Sequence, residues 1–183
     1  PSYRMPYRYY TADVFTERVF GGNQLAVIPD ARGLTGEQML AITREFNYSE
    51  STFVLPPERG GTRRVRIFTP GAEVPFAGHP TVGTAHVLAA IGEIPLEGDL
   101  TRVVLEGGVG DVPVTTRASN GVPTFAQLSV ARLPEVVLPA AQVPDATGLA
   151  EVLSLSPDDF VAGPWRPEAV SCGLPFLMVA LKT

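Results

Sequence analysis

The stretch Pro80-Thr81-Val82-Gly83-Thr84-Ala85-His86-Val87-Leu88-Ala89-Ala90-Ile91 sets the strongest limit on how this chain folds. Pro80 stands where a first helical position belongs and Gly92 where a helix ends, so the segment reads as a helix over 80–91. It is small or apolar on nearly every face and carries no acidic or basic residue apart from His86. A helix of that kind is buried all round. The chain on either side supplies what must bury it. Residues 7–15, 24–28, 51–55 and 63–68 read as strands, as do 101–106, 109–116 and 124–130, with turns at Gly21-Gly22-Asn23 and Gly60-Gly61 between them. A buried helix wrapped by strands predicts a barrel with a helix through it. Gly and Pro at 18 residues each fit a turn-rich β protein better than a helical bundle.

A second helix is marked by its ends. Thr35 is placed as N-cap with Gln38 as its capping-box partner, and Leu34 and Met39 are spaced for a hydrophobic staple. Met39, Ile42 and Phe46 make one apolar face, and Asn47 is a C-terminal stop. Beyond residue 130 the pattern changes. Residues 133–144 are Pro-rich and apolar and read as a linker. A short helix over 146–153, capped by Asp145, precedes strands at 169–171 and 176–182. The expected organisation is an N-terminal lobe over 1–132, followed over 133–183 by a linker and the start of an incomplete second lobe.

Composition narrows the function classes. The net charge of −5 with scattered Arg offers no basic stripe, so nucleic acid is not an expected partner. No run of about 20 apolar residues is present, so no membrane helix is expected. The single cysteine, Cys172, cannot make an internal disulfide, and the default compartment is cytoplasmic. Two His and one Cys do not form a zinc-type cluster, so no metal site is expected. Gly107-Gly108-Val109-Gly110 leads into a strand and not a helix, which removes it as a phosphate loop.

Two places have the residue types for chemistry. The first is Asn47-Tyr48-Ser49-Glu50-Ser51-Thr52-Phe53, which joins the amphipathic helix to an apolar strand. A carboxylate at the core's edge suits proton exchange. The same Glu50 also fits a solvated turn or a bond to nearby backbone N–H groups. The second is Gly78-His79-Pro80-Thr81. With Pro80 first in the helix, His79 is its N-cap, and the helix start offers free N–H groups to a carboxylate or phosphate. Gly78 lets a ligand come close to the backbone. His79 is either a ligand contact or simply a cap. Asn23, after two glycines, is either a polar contact or an ordinary turn residue.

Taken in order, Asp13-Val14-Phe15, Phe20-Gly21-Gly22-Asn23-Gln24-Leu25-Ala26-Val27, Asn47-Tyr48-Ser49-Glu50-Ser51-Thr52-Phe53, Phe68-Thr69-Pro70, Glu73-Val74-Pro75-Phe76-Ala77-Gly78-His79-Pro80-Thr81 and Gly173-Leu174-Pro175-Phe176 resemble the PhzF-like family of the phenazine-biosynthesis and diaminopimelate-epimerase superfamily. The resemblance implies an α+β fold, a diaminopimelate-epimerase-like lobe built as a β-barrel around a central helix, with a second similar lobe begun here. It implies Glu50 as the catalytic acid/base, with Gly78, His79, Asn23 and Ser49 as substrate contacts. It also implies a cofactor-independent isomerase that moves a proton on a small carboxylate substrate, of which trans-2,3-dihydro-3-hydroxyanthranilate isomerase is the prototype. Ala77 stands where two-thiol members of the superfamily have a cysteine, so the resemblance implies a carboxylate mechanism. The family's second-lobe motif Asp-Pro-Ala-Thr-Gly-Ser is absent. Asp145-Ala146-Thr147-Gly148 lacks its Pro and Ser and falls too early. The alternatives are an amino-acid racemase or epimerase using a carboxylate base, or a catalytically silent truncated homologue. Apolar strand edges in the unfinished second lobe, at 169–171 and 176–182, point to a homodimer or to pairing with a further C-terminal piece.

Overall fold

The computed structural model describes residues 6–130, 133–172 and 174–182. The chain divides into two compact units, residues 1–131 and 132–183. The first is built in the order β1 (Tyr10–Val14), β2 (Asn23–Ile28), α1 (Gly36–Phe46), β3 (Glu50–Leu55), β4 (Arg63–Phe68), β5 (Glu73–Val74), α2 (Gly78–Ala90), β6 (Leu100–Gly107), β7 (Gly110–Ser119) and β8 (Val122–Leu128). Its sheet runs β1-β2-β3-β4-β6-β7-β8, with β5 beside β4. Two neighbouring pairs are parallel, β2 with β3 and β4 with β6. Parallel neighbours need a crossover, and each is made by one helix, α1 for the first pair and α2 for the second.

The two crossover helices lie on opposite faces of the sheet, and their sequences explain why. α1 has one apolar stripe and packs on β3 and β4. Met39 meets Ile28, Phe53 and Phe68 there, with Phe53 and Phe68 edge to face. In α2 every residue from His79 to Ala89 except His86 is buried. It touches β1, β2, β3, β6, β7 and β8, so the sheet curves around it. Leu25, Val27, Val54, Val65, Ile67, Val103, Leu105, Val112 and Val114 form the inner wall against Val82, Ala85 and Leu88. Strands between the two layers are apolar on both faces: Val54 points to α2 and Phe53 to α1. The fold is of the expected α+β class, with strands wrapped around a central helix, but as a half-barrel where a barrel was expected. The sheet does not close. Its end strands β1 and β8 flank a cavity of about 750 Å³ into which α2 shows Gly78, Val82, Gly83 and His86.

The caps of α1 match their sequence signals. Thr35 and Gln38 form a reciprocal capping box, and Asn47 takes the left-handed conformation at φ 54°. The start of α2 differs from expectation. Ala77 is the N-cap, Gly78 and His79 are the first two helical residues, and Pro80 is the third. Proline needs no N–H anywhere in the first turn, so it does not by itself fix which position is first.

The second unit contains β9 (Glu135–Val136), α3 (Ala146–Leu153), β10 (Glu168–Ser171) and β11 (Pro175–Met178). These strands pair antiparallel in the order β11-β10-β9. The segment read as a linker thus holds a two-residue strand, and a single 3-10 turn over 140–142. The strand expected over 176–182 ends at Met178, and Leu181 makes a separate bridge to Phe160. Asp145 caps α3, its Oδ1 accepting from the Gly148 N–H at 2.9 Å, so the stretch resembling a second-lobe motif is a helix cap. Gly173 and the expected boundary residue 132 lie outside the described residues. No helix among the described residues is long and apolar enough to cross a membrane.

Candidate functional site

The left-handed turn at Asn47 stops α1 and feeds Tyr48-Ser49 into β3, whose first residue is Glu50. Strand alternation puts Glu50, Thr52 and Val54 on the inner face. Thr52 and Thr84 of α2 are both fully buried and share a hydroxyl–hydroxyl bond of 2.8 Å. That bond ties β3 to the helix two residues along from Glu50. In the neighbouring β2, Leu25 stands opposite Glu50 in parallel register. Asn23 and Gln24 therefore lie just before Glu50 at the same sheet end, where α2 begins.

Four of the sequence-derived residues meet at this end. The His79 ring is buried, with 8% of its side chain exposed, and its Nε2 lies 3.5 Å from Glu50 Oε2. The same Nε2 lies 3.4 Å from the Gln24 carbonyl oxygen. Nδ1 of His79 faces Asn23 Nδ2 at 3.1 Å. The Ser49 hydroxyl donates to Asn23 Oδ1 at 2.8 Å and is 3.4 Å from the Gln24 carbonyl. Gly78 stands next to His79 at the helix start, and a methyl group built on it would meet nothing within 4 Å. Ala77 offers no side-chain cap, so the first N–H groups of α2 keep their partial positive charge for a ligand.

Glu50 Oε2 is the anomaly of the group. It is buried and makes no hydrogen bond, although His79 Nε2 stands 3.5 Å away, at the outer limit of such a contact. Buried polar atoms are bonded in the great majority of cases, so an orphaned carboxylate oxygen calls for a functional account. Among the described residues no cluster of three or more His, Cys, Asp or Glu could hold a metal ion.

The Gln24 carbonyl and the Thr52–Thr84 pair were not singled out in the sequence. Any residue at 24 supplies a carbonyl, so no signal marks it. Two hydroxyl residues on otherwise apolar elements were the available hint of the threonine pair. His86 is not internally hydrogen-bonded. It faces the open cavity between β1 and β8, and burial pushes its imidazole below the usual histidine range.

The fold defines the class: an α+β half-barrel of the kind shared by phenazine-biosynthesis proteins and proline-racemase-like epimerases. A hydroxyproline epimerase from Agrobacterium vitis has this fold, with a TM-score of 0.62 at 17% identity over 92% of this chain and 50% of that one. A family model described as phenazine biosynthesis-like protein (PhzC-PhzF) matches residues 12–183, and the chain belongs to that family.

Relatives extend the comparison. An uncharacterised isomerase of Mesorhizobium japonicum is 42% identical over 172 residues, 93% of this chain and 55% of the relative. The trans-2,3-dihydro-3-hydroxyanthranilate isomerase of Pseudomonas aeruginosa is 45% identical over 115 residues, 63% of this chain and 39% of that enzyme. A solved structure from Pseudomonas aeruginosa, described as a predicted epimerase, superposes with a TM-score of 0.80 at 33% identity, over 96% of this chain and 60% of that one. The chain thus spans about half the length of the first of these relatives.

Proposed function

We propose that this chain carries the proton-transferring half of a cofactor-independent isomerase acting on a small carboxylate substrate, with Glu50 as the acid/base. The observation that carries the reading is the orphaned, buried Glu50 Oε2, 3.5 Å from His79 Nε2 at the open start of α2. A C–H bond of the substrate gives its proton to the Glu50 carboxylate and leaves its electron pair in an adjoining π-system. Glu50 then returns the proton to a different carbon of the same molecule, so the formula is unchanged and no redox partner enters. The first N–H groups of α2, at Gly78 and His79, hold the substrate carboxylate and spread the charge that develops. The relatives named as isomerases, one of them acting on a dihydro-hydroxyanthranilate, support the reaction class and the first substrate to try.

A second reading is an epimerase or racemase, in which Glu50 exchanges a proton at one stereocentre. The structural relative described as a predicted epimerase favours it. Turnover of the full-length protein in deuterium oxide separates the two. The isomerase places the label on a carbon that bore no exchanging proton in the substrate, whereas the epimerase exchanges the α-hydrogen. Glu50→Gln with turnover intact overturns both and leaves a base from elsewhere, whereas no turnover in the unaltered full-length protein leaves a silent homologue. A homodimer in the cytoplasm is the setting we propose. Exposed Phe176, Leu177 and Met178 on β11 support pairing with a second copy, which light scattering checks.

A further inference from the structure

We infer that Asn23, backed by Ser49, is a positioning residue that fixes the tautomer of His79 and keeps an N–H, not a lone pair, aimed at Glu50. The consequence for catalysis rests on the role proposed for Glu50; the tautomer does not. A neutral imidazole has one N–H and one lone pair. Nε2 faces the Gln24 carbonyl at 3.4 Å and Glu50 Oε2 at 3.5 Å. The carbonyl can only accept, and so can an ionised Glu50. A lone pair on Nε2 would face both oxygens, so Nε2 carries the hydrogen. Nδ1 must then accept, and Asn23 Nδ2 at 3.1 Å is the donor that completes it.

Ser49 sets which end of the Asn23 amide faces the ring. Its hydroxyl has one hydrogen and two acceptors in view, Asn23 Oδ1 at 2.8 Å and the Gln24 carbonyl at 3.4 Å. The hydrogen goes to the nearer oxygen, which holds Oδ1 toward Ser49 and Nδ2 toward His79. Donors then run in one direction, from Ser49 to Asn23 to His79 and on to Gln24 and Glu50. Were the amide reversed, Oδ1 would demand a hydrogen on Nδ1, and with Nε2 still facing two acceptors the ring would be an imidazolium. As arranged, His79 never has to give up a proton. Its Nε2–H leans to Glu50 when that group is a carboxylate and to the Gln24 carbonyl when Glu50 holds the substrate's proton. Asn23 and Ser49 then act on Glu50 through His79, a positioning role distinct from the substrate contact read for them in the sequence.

The test is the two-bond proton–nitrogen correlation spectrum of full-length protein labelled with nitrogen-15 in histidine, without ligand. The His79 signals are assigned by their loss in His79→Gln. The expected wild-type pattern is protonated Nε2 and unprotonated Nδ1. Asn23→Asp, which can only accept, should move the Nδ1 signal to the protonated position. Asn23→Ala should give an average of the two tautomers, and Ser49→Ala a smaller shift in the same direction. His86 should not respond to any of them, because it lies on the cavity side of α2. A wild-type ring protonated on Nδ1, alone or with Nε2, overturns the proposal, as does a His79 pattern unmoved by the Asn23 variants. If those variants do not fold, the wild-type pattern and Ser49→Ala decide. Active Glu50→Gln with the expected His79 pattern would remove the catalytic reading and leave the tautomer assignment standing.

Discussion

Glu50 and Glu106 are both glutamates on strands of the same sheet, and the fold handles them in opposite ways. Glu106, near the end of β6, is fully buried. Its Oε1 accepts from the Arg59 and Gly61 N–H groups at 2.7 and 2.8 Å, and its Oε2 from the Glu58 N–H at 2.7 Å. The turn between β3 and β4 is folded onto that carboxylate. Glu50 starts β3 at the other end of the strand, and its buried Oε2 has no hydrogen-bond partner, only the His79 ring nitrogen at 3.5 Å. A satisfied buried carboxylate is architecture, since its three donors would be orphaned without it. A buried carboxylate left unsatisfied costs stability and is kept where something other than stability is served.

The sharpest way to break this contrast is to neutralise each carboxylate in turn. Glu50→Gln should lower turnover of the full-length protein by about 10²–10⁴-fold, the range expected when a general acid/base is lost. Its melting temperature should stay level or rise, because an amide in place of a charge relieves a buried, unpartnered oxygen. Glu106→Gln should do the reverse. One Glu106 oxygen becomes an NH₂ facing backbone donors, and the melting temperature should fall by roughly 5 °C or more, with turnover near wild type. Equal losses of stability in both variants, read by calorimetry, would dissolve the distinction.

Two glycines of α2 sharpen the same contrast on one helix. A Cβ on Gly83 would lie 2.6 Å from Leu25 Cδ2 and 2.7 Å from Val14 Cγ2, so the helix is in contact with β1 and β2 there. Gly83→Ala forces those side chains aside and should lower the melting temperature by a few degrees, at an overpacking cost of about 1–3 kcal/mol. Gly78 faces open space. Gly78→Ala should leave the melting temperature within about a degree, or raise it, since alanine is the better helix former. The methyl group would stand where the substrate carboxylate approaches the helix start, so a raised KM is expected. An unchanged KM would place the substrate elsewhere.

Much of this was legible before any coordinates, and what was missed has physical reasons. The ends of α1 were readable because Thr35, Gln38 and Asn47 act locally, within four residues. The burial of α2 was readable because no face of it could be left in water. The contact of Asn23 with His79, 56 residues apart, is not legible in the sequence, since periodicity says nothing about which strand ends are neighbours. The expected N-cap, His79, is two positions past the observed one, Ala77, because Pro80 fits any first-turn position. β5 and β9 are two residues long and exist through their partners, so no local pattern marks them. Glu106 gave no signal, because acidic residues in strands mostly face water and its donors come from a turn 45 to 48 residues earlier.

The smallest expected effect concerns acid. Burial alone would raise the Glu106 pKa, but the N–H groups of Glu58, Gly61 and Arg59, with the Arg59 charge, outweigh it and hold the carboxyl below the usual glutamate range. In the unfolded chain the group returns to an ordinary value near pH 4.3. Between the two pKa values the unfolded state binds a proton that the folded state does not, so stability falls as pH falls. The contribution of Glu106 is therefore complete above the ordinary glutamate value and is lost as pH drops through the lower, folded one. Melting temperatures from pH 6 down to pH 3 should decline in the wild type, and Glu106→Gln should flatten part of that decline because glutamine has no proton to gain. Asp30 and Glu73 are also held low, by Arg32 and Arg66, so some acid dependence will remain in the variant. These two are surface pairs, with contributions small and sensitive to salt. Repeating the series at high ionic strength should remove most of their share and leave the Glu106 difference in place. If the wild type and Glu106→Gln lose stability in parallel over this range at high salt, the three backbone donors do not depress that carboxyl, and the contrast with Glu50 reduces to one of packing.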